Sequence, residues 1–149
     1  MRLNLPEHEF IVKPSGNGDS VIFDRLRGRF VALTPEEWVR QNFVEFLIGH
    51  RGFPGGLMGC EVSLTQNGIS RRCDILVTDR HGEPLLIVEC KAPGVKITQP
   101  VFDQIWRYNS VLRARYLVVT NGLSHYCCRM GDDGEGYTFL RDIPRYEEL

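Results

Sequence analysis

Asp74, Glu89 and Lys91 are the residues whose types and spacing could do chemistry. Asp74 sits inside RRCDILV (71–77), and Glu89 and Lys91 close LLIVECK (85–91). Side chains alternate along a strand, so Glu89 and Lys91 share one face and Cys90 takes the other. If the two runs form a hairpin, Asp74 comes beside Glu89. Two ionised carboxylates about 4 Å apart repel by about 4 kcal/mol at an effective dielectric near 20. A shared proton, a basic neighbour or a bound cation must offset that. Two carboxylates with open positions suit Mg²⁺ (or Mn²⁺), since Mg²⁺ keeps several waters and takes only one or two carboxylates. An ammonium beside such an ion orients or helps deprotonate a water and stabilises charge developing on a phosphate. That is a sensible set of parts for phosphodiester hydrolysis. The same residues also read as a plain Glu89–Lys91 ion pair at a strand end, with Asp74 in a nearby hydrogen bond.

The elements that must position these groups are legible. Short strand-like runs come first, FIVK (10–13), SVIFD (20–24) and GRFVAL (28–33), separated by Gly, Asn and Asp. A helix follows. Thr34 is its expected N-cap, Pro35 its first residue, and Glu37 completes a capping box with Thr34. Val39, Phe43, Phe46 and Leu47 form its apolar stripe, and Gly49, Gly52 and Pro54 end it. CEVSLTQ (60–66), RRCDILVTD (71–79) and PLLIVEC (84–90) read as strands, the last two joined by the four-residue loop RHGE. A second helix is predicted from about Thr98 to Arg113, with Phe102, Ile105, Trp106, Asn109 and Leu112 facing the core. RYLVVTNG (115–122) is apolar throughout its centre and reads as a central strand. SHYCCRM (124–130) and GYTFL (136–140) are closing strands. A helix between strands implies a crossover and hence a mixed sheet.

With 149 residues the chain is expected to be one domain: a β-rich extension (1–33), a core (34–122) and closing strands with a tail (123–149). The net charge of −1 argues against purely electrostatic nucleic-acid binding. No apolar run approaches a membrane span and the first residues lack a signal core, so a cytoplasmic protein without a membrane partner is expected. Five cysteines without a C-x-x-C pair read as reduced, buried thiols. The four histidines are too scattered for a zinc site. No G-x-S-x-G elbow or Walker-type phosphate loop occurs.

TPEEWVRQ (34–41), RRCDILV (71–77), IVECKAP (87–93), QIWRYN (104–109) and YLVVTNG (116–122) together resemble the PD-(D/E)XK nuclease superfamily. Within it they are most similar to the N-terminal nuclease domain of type I restriction enzyme R subunits, in a stand-alone form. The resemblance implies a restriction-endonuclease-like α/β (α+β) fold, with a mixed central sheet flanked by helices and an αβββαβ core. It also implies a Mg²⁺-dependent endonuclease acting on DNA in restriction-modification or repair.

By that resemblance Asp74, Glu89 and the Cys90 backbone carbonyl hold the metal, and Lys91 assists the attacking water. Glu37 is either a further acid of the site or only a capping residue. Gln104 and Tyr108 match a Q-x-x-x-Y signature and either reach the site or form an ordinary polar helix face. The side chains expected to hold nucleic acid are Arg40, Gln41, Arg71, Arg72 and Arg107. Cys73 stands where the superfamily has its proline. The motor domains of full R subunits are missing, so a separate motor or specificity subunit is an expected partner. A homodimer would supply one site per DNA strand. The alternative function is a catalytically inactive nuclease-like module that binds nucleic acid or a partner subunit.

Overall fold

The computed structural model describes residues 1–133 and 135–149. Strands β1 (Val12–Pro14), β2 (Ser20–Asp24) and β3 (Arg29–Ala32) form a three-stranded antiparallel sheet. Helix α1 (Pro35–Arg51) follows, then β4 (Met58–Gln66), β5 (Ile69–Thr78) and β6 (Pro84–Cys90). Helix α2 (Gln99–Ser110) precedes β7 (Tyr116–Thr120), β8 (His125–Met130) and β9 (Tyr137–Leu140). The last six strands form one sheet in the order β4-β5-β6-β7-β8-β9. Strands β6 and β7 run parallel, with α2 as the crossover that this requires. The other neighbours in this sheet are antiparallel. The mixed sheet with a helix on each face is the restriction-endonuclease-like α/β arrangement expected from the sequence.

Each helix buries one stripe on one face of the large sheet. Val39, Phe43, Val44 and Leu47 of α1 pack on Ile75, Val77, Leu86, Val88 and Val118. Phe102 and Ile105 of α2, with Leu112 just beyond it, pack on Leu76, Ile87, Leu117 and Val119. Strands β6 and β7 are thus covered on both sides, which is why both are apolar runs. All five cysteines are free and buried. Burial pushes the thiols of Cys60, Cys127 and Cys128 up to about 12, so they stay protonated. Among the described residues, no helix is long and apolar enough to cross a membrane.

Three local expectations need correction. The Glu37 amide donates to Thr34 Oγ1 at 3.0 Å, which is half of a capping box. The other half is missing, because arginines and a glutamine claim the Glu37 carboxylate. The loop between β5 and β6 is Asp79–Glu83, one residue longer than RHGE. Asp79 Oδ1 accepts from the amides of His81 and Glu83 and so organises the turn. Helix α2 stops at Ser110, short of Arg113. Arg113 is left-handed at φ +53, which breaks the helix regardless of its helix propensity.

Candidate active site

The site forms where β6 exchanges partners. It pairs with β5 as far as Ile75↔Val88 and continues along β7 to Cys90↔Thr120. The Lys91 amide then donates to the Thr120 carbonyl at 2.8 Å. At this fork the Cys90 amide donates to Asp74 Oδ2 at 2.7 Å. Asp74 therefore holds the end of the strand that carries Glu89 and Lys91.

Alternation alone does not aim Asp74. Cys60 packs in the α1 cluster, whereas Val62 packs against the α2 cluster. On β5, Cys73 lies in the α2 cluster and Ile75 in the α1 cluster. In a regular strand, residues two apart share a face. The register is unbroken across this point, with Cys60↔Ile75 and Val62↔Cys73. The hairpin instead twists at Glu61, whose φ of +54 is left-handed. The twist turns Glu61 and Asp74 together toward α1.

What they meet there is Arg40, only 4% exposed. Its Nη2 donates to Asp74 Oδ1 at 3.1 Å and lies 2.7 Å from Glu61 Oε1. It also pairs with Glu36 at 3.3 Å, and Nη1 bonds Glu37. Burial works against this charge, but Glu37 and Asp74 outweigh it and hold the guanidinium above its ordinary pKa. Arg27, in the turn after β2, donates from Nη2 to both Glu37 oxygens at 2.9 Å and also pairs with Asp24. Gln41 Nε2 donates to Glu37 Oε2 at 2.9 Å. Glu37, Arg40 and Gln41 are therefore all inside the protein, with Arg40 and Gln41 each bonded to Glu37.

Glu89 has a different environment. Burial and the charge of Asp74 push its carboxyl up to about 7. Lys91 Nζ, 3.8 Å from Oε1, offsets only part of this. Glu89 and Lys91 line a cavity of about 280 Å³ with Val101, Gln104, Ile105, Tyr108 and Asn109. Both signature residues of α2 thus face the same space as the E-x-K pair. Arg71 Nε donates to the Tyr108 carbonyl at 2.9 Å, and its guanidinium lies 4.3 Å from the ring centre. Arg72 is exposed and forms an ion pair with Glu61 at 2.6 Å. Arg107 is exposed on α2.

Two site residues escaped sequence reasoning. Glu36, half-exposed, is pushed up by burial and by Asp74, against the pull of Arg40 and Lys91. The pair Glu36-Glu37 is visible in the sequence, but only the rotation of α1 decides which of the two turns inward. Glu61 looked like a polar position of an alternating strand and gave no signal. Among the described residues, no three His, Cys, Asp or Glu side chains gather as a ready-made metal cage. The groups that could hold a cation are the Asp74 and Glu89 carboxylates and the Cys90 carbonyl.

No curated protein matches the chain. A family model described as type I restriction enzyme R protein N terminus (HSDR_N) matches residues 35–144. That span opens on the first residue of α1 and takes in both helices, the six-stranded sheet, Asp74, Glu89 and Lys91. Because the match covers well over half of a chain with this strand-end site, the chain belongs to the type I restriction enzyme R protein N-terminus family.

Proposed function

We propose that this chain is a Mg²⁺-dependent (or Mn²⁺-dependent) deoxyribonuclease of the restriction-modification or repair type, working as one nuclease-like domain. The observation that carries this reading is Glu89. It is a mostly buried carboxylate beside a second carboxylate, and its one salt-bridge partner among the described residues, Lys91, stands 3.8 Å away. A divalent cation at Asp74, Glu89 and the Cys90 carbonyl suits that unmet charge. Such an ion, when bound, polarises a phosphoryl oxygen and lowers the pKa of a water. Lys91 opens onto the same cavity, where its ammonium can hold a phosphate oxygen and stabilise charge that develops there. Gln104 and Tyr108 present polar groups along the cavity wall to the sugar-phosphate chain. DNA is the partner in this reading, together with the other subunits of a restriction system.

The test is plasmid DNA with Mg²⁺ or Mn²⁺. Nicking or cutting is expected from the wild type and not from Asp74→Ala or Lys91→Ala. Metal-dependent cutting that survives both substitutions sinks the reading.

One observation favours the alternative, a non-catalytic module. Arg40 already sits on Asp74 Oδ1, so one of the two carboxylates has an internal cation. Titration calorimetry separates the readings. Divalent binding that vanishes in Glu89→Ala supports the nuclease. No divalent binding, even with DNA present, supports the module.

A further inference from the structure

We infer that Glu61 is a positioning residue: held in a left-handed backbone, it fixes Arg40 and through Arg40 the carboxylate of Asp74. Three observations converge on it. First, its φ of +54 falls between the paired positions Cys60 and Val62 of a strand, where a side-chain-bearing residue is strained and persists only when its surroundings over-determine it. The neighbouring pairs Cys60↔Ile75 and Val62↔Cys73 keep one register, so the strain is confined to the position opposite Asp74.

Second, both Glu61 oxygens are used, and by different arginines. Oε1 lies 2.7 Å from Arg40 Nη2, and Oε2 lies 2.6 Å from Arg72 Nε. The Arg40 nitrogen that meets Glu61 is the one that donates to Asp74. Glu61, Asp74 and Glu36 thus share one nitrogen, and of the three Glu61 lies nearest to it. Third, the twist at Glu61 is what swings Asp74 onto the α1 side, as the exchange of clusters between Cys60 and Val62 shows. A strand built only for stability would place a glycine at such a φ, or avoid the twist. Glu61 keeps a charged side chain there, and that side chain ends on the site's arginine.

The Cys90 amide reports the outcome, because it donates to the other Asp74 oxygen, Oδ2. Its chemical shift and hydrogen-exchange protection can be read by NMR in the full chain without metal, DNA or activity. Glu61→Gly removes the carboxylate and permits the backbone. It is expected to lower Cys90 amide protection about tenfold, the loss of one charge-assisted hydrogen bond's worth of order, and to leave the amides of Leu86 and Val88 unchanged. Glu61→Gln keeps the side-chain length and one acceptor oxygen. It is the variant to measure should the glycine variant fail to fold, and should show the same selective change, but smaller. An unaltered Cys90 amide overturns the inference. So does an equal loss of protection along all of β6, which is the signature of a residue that merely stabilises the hairpin.

A second arm deepens the proposed function and rests on it. Mg²⁺ affinity by calorimetry should fall several-fold in Glu61→Gly. If the wild type binds no Mg²⁺, the nuclease reading fails while the Cys90 result still decides the role of Glu61. If the wild type binds Mg²⁺ and Glu61→Gly binds it equally well, the positioning role fails and the nuclease reading stands.

Discussion

Asp74 and Glu89 are neighbouring acids at one fork of the sheet, and the fold treats them in opposite ways. Asp74 lies against the buried arginine network of α1. It accepts from Arg40 and from the Cys90 amide. Glu89 opens on the α2 side, where Lys91 is 3.8 Å away and burial dominates. One acid is held in place by groups of the protein itself, and the other is left with unmet charge. The difference teaches where a cation would have most to contribute. Its gain is at Glu89, while Asp74 contributes from a position that Arg40 has already fixed.

The largest break in this contrast is Arg40→Ala. It takes from Asp74 its paired cation and from Glu37 and Glu61 one of two, leaving them Arg27 and Arg72, and should cost about 3–5 kcal/mol in urea unfolding at neutral pH, as for a broken buried ion pair. A cost below about 1 kcal/mol would mean that the network carries little.

Glu89→Gln should act with the opposite sign. The folded pKa of Glu89, about 7, stands above its ordinary 4.5, so folding takes up a proton between them. The stability it contributes is fully present below about 4.5 and is lost as the pH rises towards 7. Glu89→Gln should therefore be more stable than wild type at pH 8, by about 1–3 kcal/mol, with the difference gone in acid. Paired denaturation curves across that range check it, and a constant difference at every pH would count against the unmet charge.

A smaller effect comes from the proposed ligand. Mg²⁺ at ten times its Kd should raise wild-type stability by about 1.4 kcal/mol and do nothing for Glu89→Gln. Thermal melts with and without Mg²⁺ give the comparison, and equal shifts in both proteins would place the ion elsewhere. The smallest effect lies on the α2 side. Arg71→Ala removes the bond to the Tyr108 carbonyl and the contact with its ring, and should cost about 0.5–1 kcal/mol in urea. A larger loss would show that the outer hairpin also props the cavity wall.

Much of the fold was legible because it rests on local rules. Thr34 and Pro35 start α1 where the capping preferences put them, and Gly52 ends it in a left-handed conformation. PLLIVEC is a strand over its full predicted length, since a run apolar on both faces fits a central strand covered twice. The site was legible in part. The E-x-K end of β6 could be read, and Glu89, Lys91, Gln104 and Tyr108 do line one cavity. The burial of Arg40 and Gln41 could not be read, because it depends on the acids that arrive from β4 and β5 and on the arginine that the turn after β2 brings to Glu37.

By itself the sequence determined the elements, their order and the residue types at the strand end, since each of these depends on periodicity, capping and turn chemistry within a few residues. Only the tertiary structure decided which acid meets which cation. A left-handed residue at Glu61 turns Asp74 toward α1, and the rotation of α1 puts Glu37 inside the network and leaves Glu36 facing the site. Both are settled by contacts between elements distant in sequence, where Coulomb energy and burial outweigh any local preference.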